Sequence, residues 1–298
     1  MLEEELVKAV SPLRYPGGKV CLYPLLCEIL KINNLHRRRY AEPFAGGGGL
    51  ALALLYSGVV SDIHLNDLDP AVWAFWYSAI NHNDDFINRI KTTPLTIEEW
   101  KRQRAINLNQ DIMDIVSLGF STFYLNRTNR SGIIKGAGVI GGLNQNGNYK
   151  MDCRFNREDL SRRVERIYKY RNQIEITNLD ALKFINSYRF NTCSILMCID
   201  PPYFNKGKGL YTSFYEEKDH QDLSYLINKI ETPWVLTYDN VPEIRALYKR
   251  KRIFEFDINY SVETKRKGTE ILIPSSGLRV PESIKHHASN PQRELELV

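Results

Sequence analysis

Apolar and polar positions fall into two textures along the chain. From residue 39 to 80 the pattern predicts a short buried strand in RYAEPFA, a glycine run, and an apolar helix in LALALLYSG with Gly58 suited to its C-cap. A second strand in DIHLND and an aromatic helix in PAVWAFWYSAI follow, giving β-α-β-α order. The same texture returns after about residue 173, where QIEITN, SILMCID, WVLTYD, RIFEFDI and EILIP read as strands and ALKFINSY and EKDHQDLSYLINKI as helices. Alternation of this kind implies an α/β fold: a mostly parallel sheet with helices on both faces.

Residues 81–172 read differently, as polar helix-forming stretches followed by the Gly/Asn-rich RTNRSGIIKGAGVIGGLNQNGNYK, which resembles a hairpin or an extended loop. We read this segment as an inserted, mostly helical domain, and residues 1–80 and 173–298 as one discontinuous domain around it. Its last helix, roughly 157–171, puts Leu160, Val164, Ile167 and Tyr168 on one face and Arg162, Arg163, Arg166 and Lys169 on the other. The tail from about 276 reads as loose.

Composition narrows the class. With 298 residues and 43% hydrophobic content the chain can fill a real core, which excludes disordered and fibrous classes. Lys and Arg number 40 against 35 Asp and Glu, a net +5 that permits a polyanionic partner without requiring one. MLEEELVKAV has no positive n-region or long apolar stretch, and no apolar run reaches membrane-spanning length, so the expectation is a cytoplasmic protein without a membrane partner. The cysteines at 21, 27, 153, 193 and 198 form no C-x-x-C pair, and the histidines are scattered except for His286-His287, so neither a disulfide framework nor a metal site is expected.

Candidate chemistry begins at AEPFAGGGGLALALL, where a strand ends at Phe44 and a helix begins near Gly49. Its four glycines let the backbone turn tightly and approach a nucleotide-like ligand without Cβ interference. Gly46-x-Gly48-x-x-Ala51 also fits a dinucleotide fingerprint, and Asp67 sits where an acidic ribose-binding residue belongs, so NAD and S-adenosylmethionine both remain open at this point. Asp69, before Pro70, is the better placed helix cap. Asp180 ends the next strand, where it suits either a ligand amino group or an N-cap.

The segment Asp200-Pro201-Pro202-Tyr203 follows the apolar strand SILMCI directly. Its prolines remove backbone donors and stiffen the turn, so the Asp200 carboxylate and the Pro201 carbonyl can stand as acceptors for one amino group. Tyr203 then offers an aromatic face for stacking a flat base.

The set RYPGGK (14–19), EPFAGGGG (42–49), LNDLD (65–69), FYLNRTNRSG (123–132), DPPY (200–203) and TEILI (269–273) resembles the Dam-type, alpha-group adenine-specific DNA methyltransferases, in the family's motif order. The resemblance implies a Rossmann-like S-adenosylmethionine-dependent methyltransferase sheet. It implies that Tyr15 and Lys19 lie at the cofactor's methionine end, that Phe44, Gly46 and Gly48 line its pocket, that Asp67 holds the ribose hydroxyls and Asp180 meets the adenine. Asp200 would border both cofactor and target base. The insert would be the target-recognition region, acting on double-stranded DNA, with a companion restriction endonuclease as a candidate partner. IIKGAGVIGGLNQNGNYKMD differs from the aromatic-rich pattern of the GATC readers, so GATC specificity does not carry over.

The expected reaction is methyl transfer to the 6-amino group of an adenine flipped out of the duplex, by positioning and electrostatics and without a metal. Methylation of the cytosine 4-amino group or of RNA poses the same chemical problem. A non-catalytic DNA-binding protein leaves the intact DPPY unexplained, and an NAD-dependent oxidoreductase leaves DPPY and the basic insert unexplained. On the DNA side, Arg162, Arg163, Arg166 and Lys169 are expected to meet phosphates, and Arg127, Asn129, Arg130 and Asn144 to lie in the segment that reads base edges.

Overall fold

The computed structural model describes residues 10–15, 18–192, 194–204, 215–260 and 266–285. The segment before Val10, Pro16 and Gly17 of RYPGGK, Cys193 and the His286-His287 pair lie outside them.

After α1 (Tyr23–Ile32), the chain runs through β1 (Arg39–Glu42), α2 (Gly49–Tyr56), β2 (Asp62–Asn66) and α3 (Pro70–Asn81). The insert carries α4 (Asn83–Thr92), α5 (Ile97–Asn109), α6 (Ile115–Thr128) and α7 (Arg157–Lys169). Then come β3 (Ile174–Thr177), α8 (Ala181–Ser187), β4 (Ile195–Ile199), α9 (Glu217–Ile227), β5 (Trp234–Asp239), α10 (Pro242–Leu247), β6 (Phe254–Tyr260), β7 (Arg266–Pro274) and the short α11 (Glu282–Lys285).

The strands form one sheet in the order β3-β2-β1-β4-β5-β7-β6. β1 to β5 run parallel, and β7 runs antiparallel between β5 and β6. The α/β expectation therefore holds, with two strands that break the parallel run. β4 and β5 are buried at every position, as central strands covered on both faces must be. Their alternation sorts the core: Leu196, Cys198 and Val235 pack with α1, α2 and α3, while Met197, Ile199, Leu236 and Tyr238 pack with α8, α9 and α10. In α2 all of Leu50–Leu55 is buried, which explains why LALALL shows no polar face. Burying each of its leucines stabilises the fold by about 2 kcal/mol.

The insert shares the first of these cores. Phe86, Phe120 and Phe123 from α4 and α6 join Phe75 of α3 in one aromatic cluster, and Leu160 and Val164 of α7 complete it. The hairpin expected within residues 127–150 does not form. One antiparallel bridge, Asn129 to Val139, closes the loop, because left-handed residues at Ser131, Gly132, Gly136, Gly141, Gly142 and Gln145 interrupt every extended run. The described start of the tail, residues 276–285, is packed where a loose segment was expected: Leu278, Val280 and Ile284 are buried, and Asn33 exchanges two hydrogen bonds with the Arg279 backbone, while the rest of that expectation lies outside the described residues.

Candidate active site

In an open α/β sheet, ligands bind beyond the carboxyl ends of the strands where the winding reverses. Here that point lies between β1 and β4, whose neighbours wind away in opposite directions. The glycine loop leaves β1 there and DPPY leaves β4 there.

The loop is clasped between two aromatic rings. Gly46 and Gly48 have φ of +46° and +54°, and a Cβ on Gly48 would lie 2.7 Å from Trp76 Cζ2, one on Gly46 2.7 Å from Tyr15 Cε1. Only glycine fits both the backbone and the space. Trp76 Nε1 donates to Gly46 O at 3.0 Å, and Ser11 Oγ to Gly47 O at 2.6 Å. Asp67 accepts from Gly46 N at 2.9 Å and from Asp69 N at 3.0 Å, and burial pushes its carboxyl up to about 6. Asp69 caps α3 through Ala71 N and is paired with Lys135 at 3.0 Å. Asp180 caps α8, one oxygen accepting from Leu182 N and Lys183 N. Half-buried Phe44 meets Tyr215 edge-on.

At DPPY the side chains converge on Lys19. Its Nζ donates to Asp200 Oδ2 at 2.8 Å and to the Tyr203 hydroxyl at 3.2 Å, and lies 3.6 Å from Glu270 Oε2. Thr237 Oγ1 donates to the other Asp200 oxygen at 2.7 Å. The Tyr203 hydroxyl also donates to Glu270. Lys19 and Glu270 are buried, whereas the Asp200 side chain keeps 25% of its surface exposed. Pro201 and Pro202 are buried in the turn. Below the loop, burial pushes the Glu42 carboxyl up to about 8, so at neutral pH it carries its proton beside the Tyr40 hydroxyl.

Tyr203 corrects an expectation. Its ring is 2% exposed and offers no open face for a stacked base, because Lys19 and Glu270 draw its hydroxyl inward. Thr237 and Glu270 were not singled out from the sequence. Their signal is a polar residue near the sheet's carboxyl edge in an otherwise apolar strand, at WVLTYD and, across the antiparallel register, in TEILI.

The DNA-side candidates divide. Arg130, Asn144 and Arg162 are exposed. Arg127 is buried and donates through Nε to Pro12 O at 2.6 Å. Asn129 is buried as well, accepting from Trp100 Nε1 and donating to Ile133 O and Ile134 O. Neither can reach a base edge, since their polar atoms are committed to holding the insert together. Arg163 is tied to Asp159 and Ser11 O. Arg166 lies over the Tyr56 ring and Lys169 pairs with Glu165. Both stand just before β3, at the amino edge of the sheet, so the basic face points partly away from the catalytic edge.

Among the described residues no group of three or more His, Cys, Asp or Glu side chains could hold a metal ion, and no helix is long and apolar enough to cross a membrane. The strands make a doubly wound, Rossmann-like sheet with an antiparallel seventh strand, and a glycine loop faces an acidic proline turn across its switch point. The D12 class N6 adenine-specific DNA methyltransferase family matches residues 15–265. The chain belongs to that family, and it is an adenine-specific DNA methyltransferase. No curated protein matches the chain. Among solved structures, a protein from Pyrococcus horikoshii described as a candidate RNA methyltransferase is similar at 11% identity and a TM-score of 0.44, covering 92% of this chain and 98% of its own. The rRNA methyltransferase AviRa from Streptomyces viridochromogenes is similar at 12% identity and a TM-score of 0.39, covering 92% and 93%.

Proposed function

We propose that the chain transfers a methyl group from S-adenosylmethionine to the 6-amino group of an adenine flipped out of double-stranded DNA. The observation that carries this reading is the Asp200 carboxylate, fixed at one oxygen by Lys19 and at the other by Thr237 beside the glycine loop.

The residues at the loop suit the cofactor. Glycines that a Cβ would obstruct let the backbone lie close to it, half-buried Phe44 offers an apolar surface, and Asp67 and Asp180 end neighbouring strands as acceptors for ribose hydroxyls and for the adenine amino group. Tyr15 would border its methionine end, while Lys19, expected there from the sequence, is buried and spent on Asp200, Tyr203 and Glu270 and so would act on that end only by fixing Asp200. Bound S-adenosylmethionine supplies an electrophilic methyl group.

The chain's own work is to position the nucleophile. The adenine amino nitrogen is a weak nucleophile because its lone pair is delocalised into the ring. Asp200 and the Pro201 carbonyl, by accepting its two hydrogens, favour a more pyramidal nitrogen directed at the methyl group. As the nitrogen–carbon bond forms, the bond from the methyl group to sulfur would break, its electron pair staying with the departing thioether, and the nitrogen gives up one proton, which the partly exposed Asp200 accepts and releases to water. Two fixed donors prevent the carboxylate from rotating away during this step. Tyr203 anchors the turn through its hydroxyl.

The insert then serves as the target-recognition region, with exposed Arg130 and Asn144 meeting base edges and Arg162 a phosphate. A cytoplasmic setting and a companion restriction endonuclease complete the reading. Mapping modified bases in DNA from cells expressing the chain tests it: N6-methyladenine at one recurring sequence is expected. Methylated cytosine, or modification confined to RNA, would replace it with the corresponding alternative.

A further inference from the structure

Two parts of the insert reach back to the turn after β2, at a carboxylate that the reaction does not touch. Asp69, whose side chain is 3% exposed, accepts at Oδ2 from Lys135 Nζ at 3.0 Å, and at Oδ1 from Gln110 Nε2 at 3.1 Å and Ala71 N at 2.9 Å. A helix cap needs only the last of these. The other two come from 66 and 41 residues along the chain, from the loop after α6 and from the left-handed C-cap of α5. Lys135 leaves a loop closed by the Asn129–Val139 bridge, where Asn129 Nδ2 donates to Ile133 O and Ile134 O just before it. Ile134 is buried, so the lysine starts from a fixed backbone. On the other side, Thr122 Oγ1 of α6 donates to Ala71 O at 3.0 Å and pins the first turn of α3.

Asp69 in turn holds Asp67. Its N–H donates to Asp67 Oδ1 at 3.0 Å while Gly46 N donates to Oδ2 at 2.9 Å, so two backbone amides fix the orientation of that carboxylate. Asn178 Nδ2 secures the carbonyls of the turn, Asp67 O at 2.7 Å and Leu68 O at 3.0 Å. Burial lifts the Asp67 carboxyl, and the amides of Asp69 and Gly46 oppose that lift. Beyond them the leading charges have opposite signs: Asp69 raises it further and Lys135 lowers it. Gln110 and Asn178 bring no charge to the turn, and Asp180 on the neighbouring strand caps α8.

We propose that Lys135 is a positioning residue for the cofactor site: by pairing with Asp69 it fixes the turn from which Asp67 meets the ribose hydroxyls. The proposal rests on the reading of Asp67 as the ribose acceptor. It also separates two residues of one loop. Arg130 is exposed and free to face DNA, whereas the Lys135 ammonium is spent on a buried carboxylate of the cofactor turn. Without Lys135 that carboxylate would lose its counter-charge two residues from the group that takes the ribose.

Full-chain Lys135→Met, Asp69→Asn and the double variant test this by calorimetric titration with S-adenosylmethionine between about pH 5 and 8. At the alkaline end all three should bind the cofactor several-fold more weakly than the wild type, and Lys135→Arg, which can keep the pair, should recover most of the loss. The pH midpoint of binding should move in opposite directions: above about 6 in Lys135→Met, where the Asp69 charge stands uncompensated, and below it in Asp69→Asn, where the lysine charge does. A general loosening of the turn would not split the two. Thermal melting checks folding, and the double variant, which strands no buried charge, carries the affinity test if Lys135→Met unfolds. Wild-type cofactor affinity in the folded variants, or midpoints that move the same way, overturns the role of Lys135 while Asp67→Ala still weakens binding. Duplex binding without cofactor should be unchanged in Lys135→Met, and its loss with cofactor affinity intact would assign the lysine to DNA and overturn the role too. Wild-type cofactor affinity in Asp67→Ala overturns the proposal together with the reading beneath it.

Discussion

Replacing Lys19 with Met keeps the length and apolar stem of the side chain and removes the cation that faces Asp200, Tyr203 and Glu270. Its side chain is 4% exposed and that of Glu270 is 0% exposed, so the cost is that of a buried carboxylate deprived of its counter-charge. Removing one partner of such a pair costs about 3–5 kcal/mol. Asp200 adds little to that figure, because a quarter of its side chain already meets water and Thr237 still donates to it. We expect about 4 kcal/mol, a large share of the roughly 5–15 kcal/mol that holds a typical fold. In guanidinium chloride, with a slope of roughly 5 kcal/mol per M, the midpoint should fall by about 0.8 M. The double variant Lys19→Met/Glu270→Gln should recover a good part of this, since it removes the stranded charge as well. A loss below about 1 kcal/mol, or a double variant no better than the single, would refute the view of Lys19 as the buried counter-ion of this site.

Tyr203→Phe should be more than a mild change: it takes from Glu270 its hydroxyl donor at a cost of about 1–3 kcal/mol, so denaturation should show a clear loss of stability, whereas a neutral Phe variant would return the residue to a stacking role. Cofactor binding should weaken as pH falls through about 6, where Asp67 takes up its proton and stops accepting from ribose hydroxyls. That carboxyl titrates near 4 when unfolded, so its ionised form costs the fold stability above about 6 and protonation recovers it as pH falls toward 4; the fold therefore does not weaken over the window in which binding is lost, and calorimetry across pH 5–7 separates lost binding from unfolding. Arg130→Ala and Asn144→Ala should change site preference in methylation of a random-sequence DNA library. Arg127→Gln should instead lower thermal stability and leave the preference of the surviving enzyme as it was, because its guanidinium is committed to Pro12 O.

The sheet was legible because its strands are short apolar runs and its helices amphipathic or fully apolar, so strand by strand the pattern matches the structure. DPPY and the glycine loop were legible for a different reason: tight turns at a sheet edge need residue types that are rare elsewhere. What could not be read were long-range pairings. Glu270 reaches the site only because β7 inserts antiparallel beside β5, a topology that no local pattern encodes. The same limit misplaced Arg127 and Asn129. Polar residues in a loop look like DNA readers until the chain segments whose backbone they satisfy, Pro12 and Ile133–Ile134, are seen to pack against them. The basic stripe on α7 was correctly periodic, yet its position between the insert and β3 sends Arg166 and Lys169 to the far edge of the sheet.

On the proposed function, Asp200, held by Lys19 and Thr237, presents an adenine amino group for methylation. Purified wild-type chain and Asp200→Ala should be incubated with duplex DNA and methyl-labelled S-adenosylmethionine, and the digested nucleosides resolved. Label is expected in N6-methyladenine for the wild type and none above background for the variant, with both chains melting cooperatively. Label in N6-methyladenine at wild-type rate from Asp200→Ala, or label only in cytosine, would contradict it.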